Sequence, residues 1–131
     1  MIFVDTGAWY ASAVPDDQDH HSAQTWLQQN SEPLITSDYI INETLTLLRM
    51  RGYPILALDM GQALFGGELA EIVRISDEDF QEAWHVFGKF SDKEWSFTDC
   101  TSKVVMERLG IGAAFSFDVH FRQFGSVRVV P

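Results

Sequence analysis

The stretch Met1-Ile2-Phe3-Val4-Asp5-Thr6-Gly7-Ala8-Trp9-Tyr10 runs three apolar residues straight into a carboxylate. A short apolar run followed by a turn-prone Thr6-Gly7 pair reads as a buried strand. Asp5, at its end, has an ordinary explanation as the N-cap of a helix starting at Thr6. It has a functional explanation only if other acids arrive at the same place. The rest of the chain decides between the two.

Turn residues divide that remainder into short apolar strands and helices. After a strand at 1–5, a helix near 6–13 is broken by Pro15-Asp16-Asp17, and a second covers 18–29 with Ala23, Trp26 and Leu27 on one side. Pro33-Leu34-Ile35-Thr36 is a short strand, and Ser37 or Asp38 caps a helix from Tyr39 to Arg51 that closes at Gly52. Pro54 suits the first turn of a helix ending at Gly66-Gly67. Residues 71–75 form a third strand, and Ser76-Asp77-Glu78-Asp79 gives the next helix a cap and dipole-matched acids. Phe80, Trp84 and Phe87 sit on that helix at helical spacing and read as core. A loop at 91–98, a helix from Asp99 to Leu109 and a strand from Ala113 to Phe117 follow. That strand ends at Asp118; a single helical turn (His120 to Phe124) precedes a last strand at 127–130.

Short apolar strands alternating with helices imply an α/β fold, a mostly parallel sheet of about five strands covered on both faces. Crossovers are expected to be right-handed. Without repeat, linker or low-complexity segment, residues 1–131 read as one domain. In open sheets of this kind, ligands bind beyond the carboxyl ends of the strands, where strand order reverses.

Composition narrows the function. Hydrophobic residues are 46% and charged residues 21%, a globular balance. No apolar stretch is long enough to span a membrane, and no basic leader precedes an apolar run, so a cytoplasmic protein is expected. The one cysteine, Cys100, excludes an internal disulfide and reads as a small buried hydrophobe. The net charge of −10 has the wrong sign for a binder of nucleic acid. Any chemistry on nucleic acid therefore has to account for the acids, and a bound divalent cation does so.

Four acids occupy telling places. Asp5 and Asp118 each end a strand, and they meet if those strands are neighbours at the switch point. Glu43 shares a helix face with Ile40 and Leu47; either it sits at the edge of that face with its carboxylate in solvent, or it is buried, where an ionised Glu is rarely found without a partner. Asp99 starts a helix, where the dipole alone accounts for it, but that helix begins near the same sheet edge if the loop before it returns there. Converging carboxylates repel one another and raise their pKa values. Mg²⁺ or Mn²⁺, which prefers carboxylate and water oxygens, relieves the conflict and fits beside substrate phosphates.

Asp5 in VDTG, Glu43 in INETL, Asp99 in FTDC and Asp118 in SFDVHF together resemble the acidic set of PIN-domain nucleases, in particular the VapC-type toxins of toxin–antitoxin pairs. The resemblance spans nearly the whole chain, in order and on the right elements. It implies a three-layer α/β/α fold and Mg²⁺- or Mn²⁺-dependent hydrolysis of RNA by those four acids. It further implies a homodimer and inhibition by a cognate antitoxin. Thr6 matches the small hydroxyl residue after the first Asp, and Ser116 the frequent Ser or Thr two before the last. Phe117 departs from the family, which commonly has a small residue there.

Other residues have competing readings. Lys103 and Arg122 each follow a site acid by four residues, so each is a phosphate contact or half of an i, i+4 ion pair. Arg49 and Arg51 are explained by the helix dipole. His20 and His21 lack zinc spacing, His85 reads as structural, and His120 is near enough to Asp118 to approach substrate. The acids at 16–19 and 77–82 read as solvated. Trp9, Tyr10 and Trp26 are candidates for an apolar surface that a partner covers. A receiver-like signalling domain wants an acid next to Asp5 and a Lys at a later strand end, and both are missing. A haloacid-dehalogenase-type phosphatase wants an Asp where Gly7 stands. A PIN-like interaction module without activity is the remaining alternative.

Overall fold

Ile2, Phe3 and Val4 are buried as β1 (Ile2–Val4), the middle strand of a five-stranded sheet. The computed structural model describes residues 1–131. After β1 the chain forms α1 (Thr6–Ala13), α2 (His20–Gln29), β2 (Leu34–Ser37), α3 (Asp38–Met50), α4 (Pro54–Phe65) and β3 (Glu71–Val73). It continues through α5 (Asp77–Lys89), α6 (Phe97–Leu109), β4 (Ala113–Phe115), a 3-10 helix (Val119–Phe124) and β5 (Arg128–Val130). The strand order is β3-β2-β1-β4-β5 and every pairing is parallel. Helices flank the sheet, giving the three-layer α/β/α architecture.

This order puts the reversal between β1 and β4. The chain lays β2 and β3 on one side of β1, then crosses back through α5 and α6 to place β4 on the other. Asp5 and Asp118 follow these two adjacent strands, so the carboxyl ends of β1 and β4 bring them to one edge.

Serines set the helix starts. Ser37 accepts the Ile40 amide at the head of α3, while Ser76 and Ser96 form capping boxes with Asp79 and Asp99. Because Ser96 is the cap, α6 begins at Phe97, before the expected Asp99. Asp99 thus lies inside the first turn, on a backbone that is already helical. At the other end Gly110, at φ 67°, lets Ile111 donate back to the Met106 carbonyl at 2.8 Å and turns the chain into β4.

Three expectations are corrected. Phe80, Trp84 and Phe87 are exposed, Trp84 to 63%. Helix α5 instead buries Asp79, Ala83 and Val86, a stripe offset by one residue, about 100° around the helix. Asp79 turns it that way by taking two bonds from Arg108 of α6, at 2.7 and 2.8 Å. Asp79 is therefore a buried ion-pair partner where a solvated acid was expected. Finally, Trp9 and Tyr10 are buried, Trp9 donating to Thr36 Oγ1 at 3.3 Å, so neither offers surface to a partner.

Candidate active site

Asp5 is the N-cap residue of α1 by position, but its side chain makes no capping bond. The carboxylate turns instead toward β4, where Ser116 Oγ donates to its Oδ2 at 3.1 Å. The same Ser116 oxygen accepts the Asp118 amide at 3.0 Å. One hydroxyl thereby ties the end of β1 to the residue that follows β4. Asp118 in turn accepts the His120 amide at 2.9 Å and caps the 3-10 helix.

Asp99 arrives from α6. Its Oδ2 accepts the Ser96 amide at 3.0 Å and faces His120 Nδ1 at 2.9 Å. That nitrogen also lies 3.3 Å from Asp118 Oδ1. Two carboxylate oxygens facing one nitrogen place a proton on Nδ1, which makes His120 a donor to both acids in the protein alone. Glu43 comes from the middle of α3, half-buried on the same cleft.

The cleft has a volume of about 450 Å³ and is lined by Asp5, Glu43, Asp99 and Asp118, which come from four separate elements. Thr6 and Phe117 line it as well. A groove of about 500 Å³ between α3 and α4 has no acid in its wall and offers nothing to a phosphate-bound cation.

Asp5 shows the electrostatic conflict. Its pKa is pushed up from 3.8 to about 7, first by burial and then by the negative charge of Asp99, with Asp118 adding a smaller push. The Thr6 amide and Ser116 hydroxyl pull the other way without cancelling it. A metal site needs donors of this kind. Donor atoms of Asp99, Asp118 and His120 all lie within 4.8 Å of one another. Thr6 Oγ1 is buried with no partner in the protein. Hard carboxylate oxygens, an imidazole and an unsatisfied hydroxyl beside a destabilised carboxylate fit a hydrated divalent cation.

Not every expected residue is here. Lys103 pairs with Glu107, one helical turn further along α6, and lines a groove on another part of the surface. Arg122 is exposed and outside the cleft, because the segment after Asp118 coils as a 3-10 helix that buries Phe121 and Phe124. Conversely, Asp17 and Asp19, expected in solvent, line the cleft together with Glu94. Arg51 lines it too. A signal for Arg51 existed: Glu43, Leu47 and Arg51 are spaced by four along α3, and all three face the cleft. The role of His120 depends on contacts with Asp99, 21 residues away, which local spacing does not encode.

Comparison with known proteins gives the family and the fold. The PIN domain family matches residues 2–127. The chain is 34% identical over 132 aligned positions to the 23S rRNA-specific endonuclease VapC20 of Mycobacterium tuberculosis, covering 100% of this chain and 99% of the relative. The crystal structure of that protein, described as a sarcin–ricin loop cleaving toxin, superposes with a TM-score of 0.93 over 100% of both chains at 30% identity. FitAcB from Neisseria gonorrhoeae shares the fold at 14% identity and a TM-score of 0.72, covering 100% of this chain and 97% of its own. The chain belongs to the PIN-domain family, among its VapC-type members.

Proposed function

We propose that this chain is a metal-dependent endoribonuclease and the toxin of a toxin–antitoxin pair. The observation that carries the reading is the convergence of Asp5, Glu43, Asp99 and Asp118, from four elements, on one cleft at the switch point. The full-length similarity to an RNA endonuclease supports the substrate class. Asp5, Asp99 and Asp118 are the residues to hold Mg²⁺ or Mn²⁺, with Glu43 joining directly or through water. When bound, the ion supplies charge neutralisation at phosphate and a water acidic enough to attack at neutral pH.

The protein's own groups prepare that chemistry. Ser116 fixes the Asp5 carboxylate and the Asp118 amide with a single hydroxyl. His120 holds Asp99 through the contact of its Nδ1 with Oδ2, the oxygen that also takes the Ser96 amide. Thr6 holds a buried hydroxyl without a protein partner at the cleft wall, a place for an ordered water.

The same charge balance favours a basic inhibitor. An antitoxin that places an Arg among these carboxylates makes bidentate, charge-assisted bonds where the metal would otherwise sit. Action in the cytoplasm and a homodimer complete the reading, the dimer to be checked by sedimentation equilibrium.

The decisive experiment incubates the purified chain with intact ribosomes and with isolated 23S RNA, in Mg²⁺, in Mn²⁺ and in EDTA. Discrete cleavage is expected with either ion, none in EDTA, and none with Asp5→Asn. RNA left intact by the wild-type protein under all conditions would overturn the activity. Cutting by Asp5→Asn at the wild-type rate would overturn the site.

A further inference from the structure

We propose that Arg51 binds substrate, taking an internucleotide phosphate that flanks the scissile one. The inference rests on the endoribonuclease reading of the cleft and identifies where that cleft grips RNA beyond the metal site.

The anomaly is a free cation in an acidic place. Seven carboxylates line the cleft, and Arg51 is the sole Lys or Arg among the lining residues. Its guanidinium nevertheless makes no ion pair within 4.0 Å, whereas Arg108, on the far side of α6, is fully engaged by Asp79. Arg51 is not loose, however. Its Cζ lies 5.0 Å from the centroid of the Tyr10 ring, and Tyr10 is buried and braced edge-on by Tyr53 at 6.4 Å. A guanidinium drawn over an aromatic face by cation–π attraction is held near the ring while its N–H donors stay free. A planar donor fork is what recognises phosphate bidentately.

The dipole of α3 accounts for a positive charge at its C-terminal end. It does not account for the position over the Tyr10 ring at the cleft wall, nor for the lack of a carboxylate partner. Position along α3 then selects the contact. Arg51 lies eight residues beyond Glu43 on the same face, about 12 Å of helix rise. Glu43 lines the cleft with Asp5, Asp99 and Asp118, so an Arg further along the same face meets a phosphate beside the scissile one. The need for such a contact follows from charge. With the four site acids neutralised, 15 acids still face 9 Lys and Arg. Attraction at long range is absent, so RNA must be held locally. Lys103 and Arg122 stand outside the cleft, and Arg51 is the cation left to do it.

The test compares wild type, Arg51→Met and Arg51→Lys in steady-state cleavage of one RNA substrate. Affinity for the same RNA is measured separately by fluorescence anisotropy with Asp5→Asn, alone and combined with Arg51→Met, over a range of salt. Arg51→Met is expected to raise KM and weaken binding about tenfold, the worth of one charge-assisted bond. The slope of log affinity against log salt should shrink by about 0.7, one phosphate contact on a single strand. Arg51→Lys should recover part of the loss, with the melting temperature of both variants near wild type. Unchanged KM and salt slope in Arg51→Met overturn the inference, as does a lost affinity matched by a lost fold. Loss of inhibition by a protein partner with RNA binding intact would assign Arg51 to that partner instead. A wild-type protein that cuts no RNA fails the endoribonuclease reading itself, a result distinct from any of these.

Discussion

Asp5 concentrates the cost and the use of the site in one side chain. Its folded pKa, about 7, stands above its ordinary 3.8 because burial and Asp99 disfavour the charge. A raised folded pKa contributes stability that is complete below the unfolded value and is lost as pH rises through the folded one. The metal-free protein should therefore lose stability between about pH 4 and pH 8, and Asp5→Asn should lose markedly less. At pH 8 in EDTA, Asp5→Asn should be the more stable protein by roughly 1–3 kcal/mol, several degrees in a thermal melt, while cleaving nothing. An identical pH dependence in both proteins would sink this account. The sequence made Asp5 legible as more than a cap, since an apolar strand ran into it and three other acids had matching places. It left the protonation of Asp5 out of reach. That depends on Ser116 and Asp99, residues about a hundred positions away that reach it only through the strand order.

At the scale of elements, α5 shows how a helical pattern is misread. Two stripes of the same period run along it, the aromatic Phe80, Trp84 and Phe87 and the mixed Asp79, Ala83 and Val86. Hydrophobicity favours the first, yet the second is buried, because Asp79 is both the capping-box residue and the partner of Arg108. The exposed aromatics find one another and Phe97, with Phe80 and Phe97 centroids 5.2 Å apart. Burial opposes ionisation of Asp79, but the Arg108 guanidinium and the Ser76 bonds outweigh it and hold the carboxyl below its usual range. Its stabilising contribution is thus present above the ordinary carboxylate pKa and lost as pH falls through the folded one. Arg108→Met leaves a buried carboxylate without its partner and should cost about 1–3 kcal/mol at pH 7, the exposure of Arg108 keeping it from costing more. Trp84→Ser should cost less than about 1 kcal/mol, where a core tryptophan would cost about 3–5. Urea denaturation of both variants decides it: a larger loss for Trp84→Ser would mean that the aromatic stripe is buried after all.

Across the whole molecule, the parallel α/β class was legible, the strand order and the assembly of the cleft only in part. Strand-ending acids pointed to a meeting of Asp5 and Asp118 on the condition that β1 and β4 were neighbours, which the strand order meets, and the parallel pairing follows from alternating strands and helices. Asp17, Asp19 and Glu94, by contrast, lie in connecting segments whose path over the sheet edge no periodicity specifies. What the assembly costs is repulsion among carboxylates drawn from β1, α3, α6 and the end of β4, and a cation bound there should act as a clasp across the switch point. A ligand that binds only the native state stabilises it by about 2.7 kcal/mol at a hundredfold excess over its Kd. Thermal melts in millimolar Mn²⁺ should therefore lie above those in EDTA by several degrees. The increment should shrink in Asp99→Asn, and each protein is referred to its own melt in EDTA, because Asp99 also closes the capping box with Ser96. That internal reference separates the two jobs of one carboxylate: loss of the cap lowers both melts together, whereas loss of a metal ligand closes the gap between them. An Mn²⁺ increment of equal size in the two proteins would remove Asp99 from the metal site, and no increment in either would remove the site from the folded protein.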